Sequence, residues 1–358
     1  MRFLKNLPNT NIFSKRFSRY TAYAIGEVIL VVIGILIAVR IDNWNEAQKN
    51  NADFYDILKT VGRDLKEDIW QYDYLISDLE RKDSILIGVI SGQLKEGDYR
   101  RNWKELRSLI TRSTGFYIHK IGFDALQKNV PQTPVHLKSL TNELSDYYLY
   151  KAEGTNFGFE REDRLVWKTL EDWESKYNWY ASVQLDTGIN EERLRYLVNS
   201  PEYKNKAATF LINTRNALDV MTKARLNGLN LFKKIRSLTS ISNDSILFEI
   251  EDSVFIPDTL KINKCANHPS STSTNDVIRG NSVLIIKNNT SQKIKIYAPG
   301  GNRKPNAADH IFEIESGDFT FEELVKNQWY EIKDESGSCL GSFRTKSKNA
   351  IVKIVNGL

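Results

Sequence analysis

Apolar positions fall into three regimes along the chain. The first is a nearly continuous run from Tyr20 to Val39. As a helix, such a run is about 30 Å long, the thickness of a bilayer's hydrocarbon core. It predicts a transmembrane helix over 20–41. The second regime is helical. Phe54, Leu58, Val61, Leu65, Ile69, Tyr72, Ile76 and Leu79 recur at close to 3.6 residues, with Arg63, Asp64, Lys66 and Glu67 assigned to the opposite, solvated face. No glycine or proline separates Val39 from Phe54, so the two helices are expected to run together until Gly92–Gly97 ends them. The third regime begins after Leu238, where Ser, Thr, Asn and Asp become frequent and a period of two replaces the helical one.

Within the helical regime the pattern predicts helices over 103–112, 123–128, 133–150, 160–180 and 191–238. Loops or turns are expected at 113–123 and at Gly154–Gly158. Such helices with short links make an antiparallel bundle. In the last regime short strands are predicted at 246–250 and 253–256, then at 282–287, 293–297, 310–314, 328–333, 339–345 and 350–355. Turn residues such as Asn288-Asn289, Gly317 and Ser336-Gly337 separate them. The predicted fold is therefore a membrane-anchored α+β chain: a tail over 1–19, a membrane helix over 20–41, a helical bundle over 42–240, a connector over 241–281 and an antiparallel β-sandwich over 282–358.

Charge sets the direction of the anchor. The chain has 358 residues, with 50 Lys and Arg against 45 Asp and Glu. Five cations (Arg2, Lys5, Lys15, Arg16, Arg19) precede the apolar run without an acid among them. The rest of the chain is balanced, which argues against a nucleic-acid surface. By the positive-inside rule the tail is expected in the cytoplasm and the remaining bulk in a periplasm-like space, beyond an inner membrane. Inside the run, Ala22, Gly26, Leu30, Gly34 and Ala38 recur every four residues, four of them small, a stripe that would let another helix approach closely, and ionisable Glu27 lies beside it.

The stretch Tyr23–Glu46, reading YAIGEVILVVIGILIAVRIDNWNE, resembles the signature of a family of single-pass membrane proteins of unknown function from Bacteroidetes-type bacteria. The resemblance implies an inner-membrane protein with a periplasmic body, and it brings no activity. A second resemblance lies at 282–355. NNTSQKIKIY (Asn288–Tyr297) and QWYEIKDESGSCLGSF (Gln328–Phe343) are similar to the β-domain of the von Hippel–Lindau protein and its bacterial relatives. That similarity implies a sandwich that binds a peptide or protein partner, with Trp329 at a binding-face position. Ala298 and Pro299 stand where that family has an aromatic.

Candidate chemistry is sparse. Cys265 and Cys339 are the two cysteines and could form one disulfide in an oxidising compartment. Cys265 and His268 make half of a zinc pattern with no second half, so no metal site is expected. No nucleophile-elbow, zincin, phosphate-loop or dinucleotide motif occurs, and no enzyme or cofactor is expected. The aromatic set Trp167, Trp173, Tyr177, Trp179 and Tyr180 reads as packing before it reads as a ligand surface. Asp-Ser/Thr-aliphatic triplets place Ser84, Ser245, Ser253 and Thr259 in a pattern similar to the O-glycan acceptor sites of Bacteroidetes periplasmic proteins, with Ser84 the poorest because it falls in a helix. The expectation from sequence is a non-enzymatic scaffold or accessory subunit. It would meet a protein partner or a second copy through the membrane helix, and the bundle would hold the sandwich away from the membrane. The alternative is a periplasmic ligand sensor that signals through a separate cytoplasmic transmitter.

Overall fold

The computed structural model describes residues 11–181, 188–238, 241–253, 258–265, 281–298, 309–345 and 349–355. Its spine is one unbroken helix, α1 (Asn11–Ile90), 80 residues long. The merger expected from the missing breaker is observed. Gly92, at φ +69°, turns the chain where a residue with a Cβ would be strained. Short helices α2 (Glu96–Arg101) and α3 (Trp103–Leu106) follow, then an extended segment and α4 (Ile121–Lys128). The chain then runs through α5 (Lys138–Asp146), a π-helical turn (Tyr147–Ala152) and α6 (Glu153–Lys176). Gly154 and Gly158 thus lie inside a helix rather than in the expected turn, because α6 continues directly from the π turn.

The expected helix over 191–238 is two: α7 (Glu191–Asn199) and α8 (Pro201–Leu238). Ser200 and Pro201 explain the break. The Ser200 hydroxyl accepts from the Tyr203 backbone N–H at 3.3 Å. Pro201 takes the first helical position, where a missing N–H costs nothing. α8 packs antiparallel along α1, pairing Gly62 with Ile235, Asp73 with Arg225 and Asp83 with Arg215. The apolar face of α1 from Phe54 to Leu79 is buried here, as the periodicity requires. A second core at the far end joins Leu86 and Val89 to Ile110, Trp173, Trp179 and Phe210. Asp64 does not belong to the solvated face assigned to it; it is buried, and so is Asp68.

The stretch read as strand 246–250 is helix α9 (Asn243–Ser253). Ile246 and Ile250 are one helical turn apart with Leu247 beside them, and all three are buried in the bundle core. A five-residue run with four apolar positions fits either period, and tertiary burial decided it. The β region holds β1 (Asp258–Thr259), β2 (Asn281–Asn289), β3 (Ile294–Ala298), β4 (Asp309–Ile314), β5 (Phe319–Val325), β6 (Trp329–Asp334), β7 (Cys339–Arg344) and β8 (Asn349–Val355). Among the described residues they form two sheets, ordered β1-β8-β2-β5 and β4-β3-β6-β7. The first is mixed rather than antiparallel, because β8 runs parallel to both β1 and β2. β5 was not foreseen from the sequence.

Strand parity explains the layering. Leu284, Ile286, Val352 and Ile354 face Ile294, Ile296, Ile332 and Phe343 of the other sheet. Val283, Ile285, Phe319, Phe321 and Ile351 point the other way, into the helical core. A sheet buried on both faces needs continuous apolar runs, and Val283–Ile286 is one. The β unit is therefore seated on the bundle near the C-terminal end of α8. That is level with Val61, about 30 Å along α1 from Ile41, whereas the tip of α1 at Ile90 is about 70 Å away. The β unit thus sits beside the near half of the bundle, not at the tip of α1.

Candidate functional site

The N-terminal part of α1 emerges bare from the folded body. From Tyr23 to Ile41 its large apolar side chains are exposed, and the helix is long and apolar enough to cross a membrane. Gly26 and Gly34 have open space where a Cβ would stand. Glu27 and Ala38 are also exposed, while the side chain of Ala22 lies outside the described residues. The helix has no break, so its faces can be followed from one end to the other. Gly34 and Trp70 are 36 residues apart (70 − 34), as are Ala38 and Tyr74, and Glu27 and Arg63. That is ten turns at 3.6 residues per turn. These six residues therefore share the side of α1 that points away from the core. Trp70 and Tyr74 stack on each other there, 57% and 58% exposed.

A polar ladder runs along the flank of α1 beside the core. Asp64, Asp68 and Gln71 sit at i, i+4 and i+7, and each reads the backbone of the extended segment that enters α4. Gln71 makes two bonds to Tyr117: its Oε1 accepts from the backbone N–H at 2.6 Å and its Nε2 donates to the carbonyl at 3.3 Å. Asp68 Oδ1 accepts from the His119 N–H at 2.9 Å and lies 2.8 Å from His119 Nδ1. Asp64 Oδ2 accepts from the Gly122 N–H at 2.6 Å, a carboxylate at the N-terminus of α4. Gly122 is required here, because a Cβ would lie 2.8 Å from the Thr60 carbonyl carbon and from Val61 Cα. Burial raises the pKa of Asp64 and pushes Asp68 up to about 7, against the opposing effect of their hydrogen bonds. Nearby, Asp73 pairs with buried Arg225 at 2.5 Å, and desolvation still lifts it to about 6. Sequence reasoning missed this ladder.

A cleft of about 350 Å³ lies between α1 and the α3 region. Arg81, Lys82, Lys104 and Arg112 line it with Asp78 and Glu105. Arg81 is tied to both acids, at 2.8 Å and 3.1 Å. Lys82 pairs with buried Glu162. Of the aromatic set singled out in the sequence, Trp173 and Trp179 are core, joined by Tyr196, while Trp167 is exposed. Trp173 Nε1 donates to the Tyr196 hydroxyl at 3.1 Å. The Arg193 guanidinium lies within 5.8 Å of the Trp103, Trp173 and Trp179 ring centroids. This cluster is packing.

Cys265 and Cys339 are joined by a disulfide across a separation of 74 residues. Beside it, Asn263 and Ser342 form an isolated antiparallel bridge. Trp329 is half-buried, opposite Arg344 in the β6–β7 register. The Asn-x-Thr motif is structural: Asn288 Nδ2 donates to the carbonyls of Gln292, Ile314 and Glu315, and its Oδ1 accepts from Thr290. Ser245 is exposed on α9 and Thr259 is exposed on β1, while the side chain of Ser253 lies outside the described residues, as does His268. Among the described residues, no group of three or more His, Cys, Asp or Glu is placed to hold a metal ion.

Residues 27–117 match the model of a family of unknown function, DUF6090. The matched segment begins at Glu27, covers the outward face of α1 and the cleft, and stops at Tyr117, where Gln71 grips the extended segment. The rest of the helical body and the whole β region lie outside it. No curated protein and no solved structure matches the chain.

Proposed function

We propose that this chain is a bitopic membrane scaffold or accessory subunit. It would be anchored by the bare segment of α1 and would meet a second copy, or a partner's membrane helix, along the outward face of that helix. The observation that carries the reading is the alignment of Glu27, Gly34 and Ala38 with Arg63, Trp70 and Tyr74 on one uncovered side of a continuous helix. Small residues allow close backbone approach in lipid, and Glu27 in hydrocarbon is better placed against a polar partner than alone. The five cations before the segment favour a cytoplasmic tail. The Cys265–Cys339 disulfide favours an oxidising compartment for the body. In this reading the half-buried Trp329 belongs to a β unit available for protein contact.

The test is cross-linking of the full chain in native membranes. Gly34→Leu combined with Ala38→Leu should lower capture of the second copy or partner by roughly tenfold, and Trp70→Ala with Tyr74→Ala should lower it less. Unchanged capture in the Gly34/Ala38 variant would overturn the reading. The cleft favours a second reading, a sensor of a small ligand, because its volume is that of a small-molecule site. A thermal shift of the full chain in detergent on adding a panel of small anions would support that reading, and a flat response would count against it.

A further inference from the structure

The extended segment from Ser113 to Lys120 crosses α1 as a strap. One end borders the cleft through Arg112 and Thr114. The other end is held by Gln71 at Tyr117 and by Asp68 at His119, and Asp64 holds Gly122 just beyond it, in the first turn of α4. Two of these three holds are carboxylates one helical turn apart, and both are buried. Among the described residues, neither is in an ion pair with a lysine or arginine. The charged or protonatable partner of Asp68 is the His119 ring, at 2.8 Å and 37% exposed. Its second oxygen, Oδ2, accepts no hydrogen bond among the described residues.

We propose that the segment Ser113–Lys120 is a pH-operated strap, held closed on α1 by a proton shared between Asp68 and His119 and loosened as pH rises past neutrality.

The groups facing Asp68 set the sign. From α1 come Asp64 and Tyr72, from the strap His119, and from the π turn Tyr147 and Tyr148. Asp64 in turn faces Arg63 and Asp124. With one proton on the Asp68–His119 pair, the contact is either an imidazolium on a carboxylate or a carboxylic acid on a neutral ring, and both close the strap. Removing that proton to solvent through the exposed edge of His119 leaves two buried carboxylates a turn apart, with a neutral imidazole and tyrosine hydroxyls around them. Like charges held out of water repel strongly. Phe116 anchors the middle of the strap by stacking on Tyr72 and Phe159, and α8 pins the folded part of α1, so the part that yields is the backbone around Tyr117 and His119, where the hold is polar.

The experiment is hydrogen–deuterium exchange of the full chain in lipid nanodiscs at about pH 6 and about pH 8.5, corrected for the intrinsic rise of exchange with pH. A peptide containing Tyr117 and His119 should lose about tenfold of its protection at the higher pH, while α1 and α4 peptides hold theirs. Asp68→Asn should abolish the difference. His119→Gln, which alters a partly exposed ring, should abolish it too and serves if Asp68→Asn fails to fold. Equal protection at both pH values, loss spread across the whole body, or a difference that survives in a folded variant would each overturn the proposal.

Discussion

At the scale of single residues, the folded body depends on a few positions where backbone and carboxylates meet. Gly122 is the sharpest. Its Cα faces the backbone of α1 at Thr60 and Val61, which cannot rotate away as a side chain could. Gly122→Ala should therefore destabilise the body by about 3 kcal/mol, seen as a lower urea midpoint with an unchanged slope. Asp68 makes a different demand. Its carboxyl is raised to about 7 in the folded chain by burial, whereas in the unfolded chain it titrates near the ordinary value of 3.8. Between those values the native state binds more protons than the unfolded one. The contribution of Asp68 to stability is therefore fully present below the unfolded value and is lost as pH rises through the folded one. The slope cannot exceed about 1.4 kcal/mol per pH unit for a single group. Urea midpoints between about pH 4 and about pH 7 should fall less steeply in Asp68→Asn than in the natural chain. An equal slope in both would assign the effect to other groups.

At the scale of elements, the disulfide fastens the segment after β1 to β7. Leading into it, β1 pairs with β8, Leu260 donates to the Ile351 carbonyl, Asn263 pairs with Ser342, and the Ser342 hydroxyl donates to the Lys264 carbonyl at 3.4 Å. A cross-link closing about 75 residues removes roughly 4 kcal/mol of unfolded-state freedom in the chain-entropy account. Cys339→Ser should thus cost about 2–4 kcal/mol and raise proteolysis at 260–265 before other sites. The elements also show what a sequence can and cannot disclose. α1 was legible because eight apolar residues kept one period with no breaker, and the turn at Gly92 and most strands were legible from their punctuation. The α7–α8 break was also written in the sequence, as Ser200-Pro201. α9 was not legible, because Ile246, Leu247 and Ile250 suit either period until their burial partners are known. The polar ladder was hidden for a similar reason. On a helix rich in charge, Asp64, Asp68 and Gln71 look like solvated residues. The one local clue is that each directly precedes a core residue (Leu65, Ile69, Tyr72), which places it at the edge of the buried face.

At the scale of the whole molecule, the decisive feature is a core shared between helices and sheet. A β unit tethered by a connector would unfold independently of the bundle. Here Val283, Ile285, Phe319, Phe321 and Ile351 share one apolar core with Ile246, Leu247, Ile250, Phe232 and Ile235. Polar contacts reinforce it, with Lys233 bonded to Asp318 at 2.7 Å and to the Phe319 carbonyl, and Lys287 paired with Asp244. Neither part can leave without baring large side chains, each worth about 1.5–3 kcal/mol of burial. The full chain in detergent should therefore show one cooperative urea transition, with tryptophan fluorescence and far-UV circular dichroism coinciding. Phe321→Ala should lower the midpoint of both probes together by an amount equivalent to about 3–5 kcal/mol. Two separated transitions, or a Phe321→Ala shift confined to the β signal, would mean that the joint is a contact rather than a core. Coincidence matters for the scaffold reading as well. A load applied to the β unit is then delivered to α8 and across it to α1, the one element that continues into the bare apolar segment, so a partner held by the sheets and a partner held by the anchor would be joined by packed structure rather than by a tether.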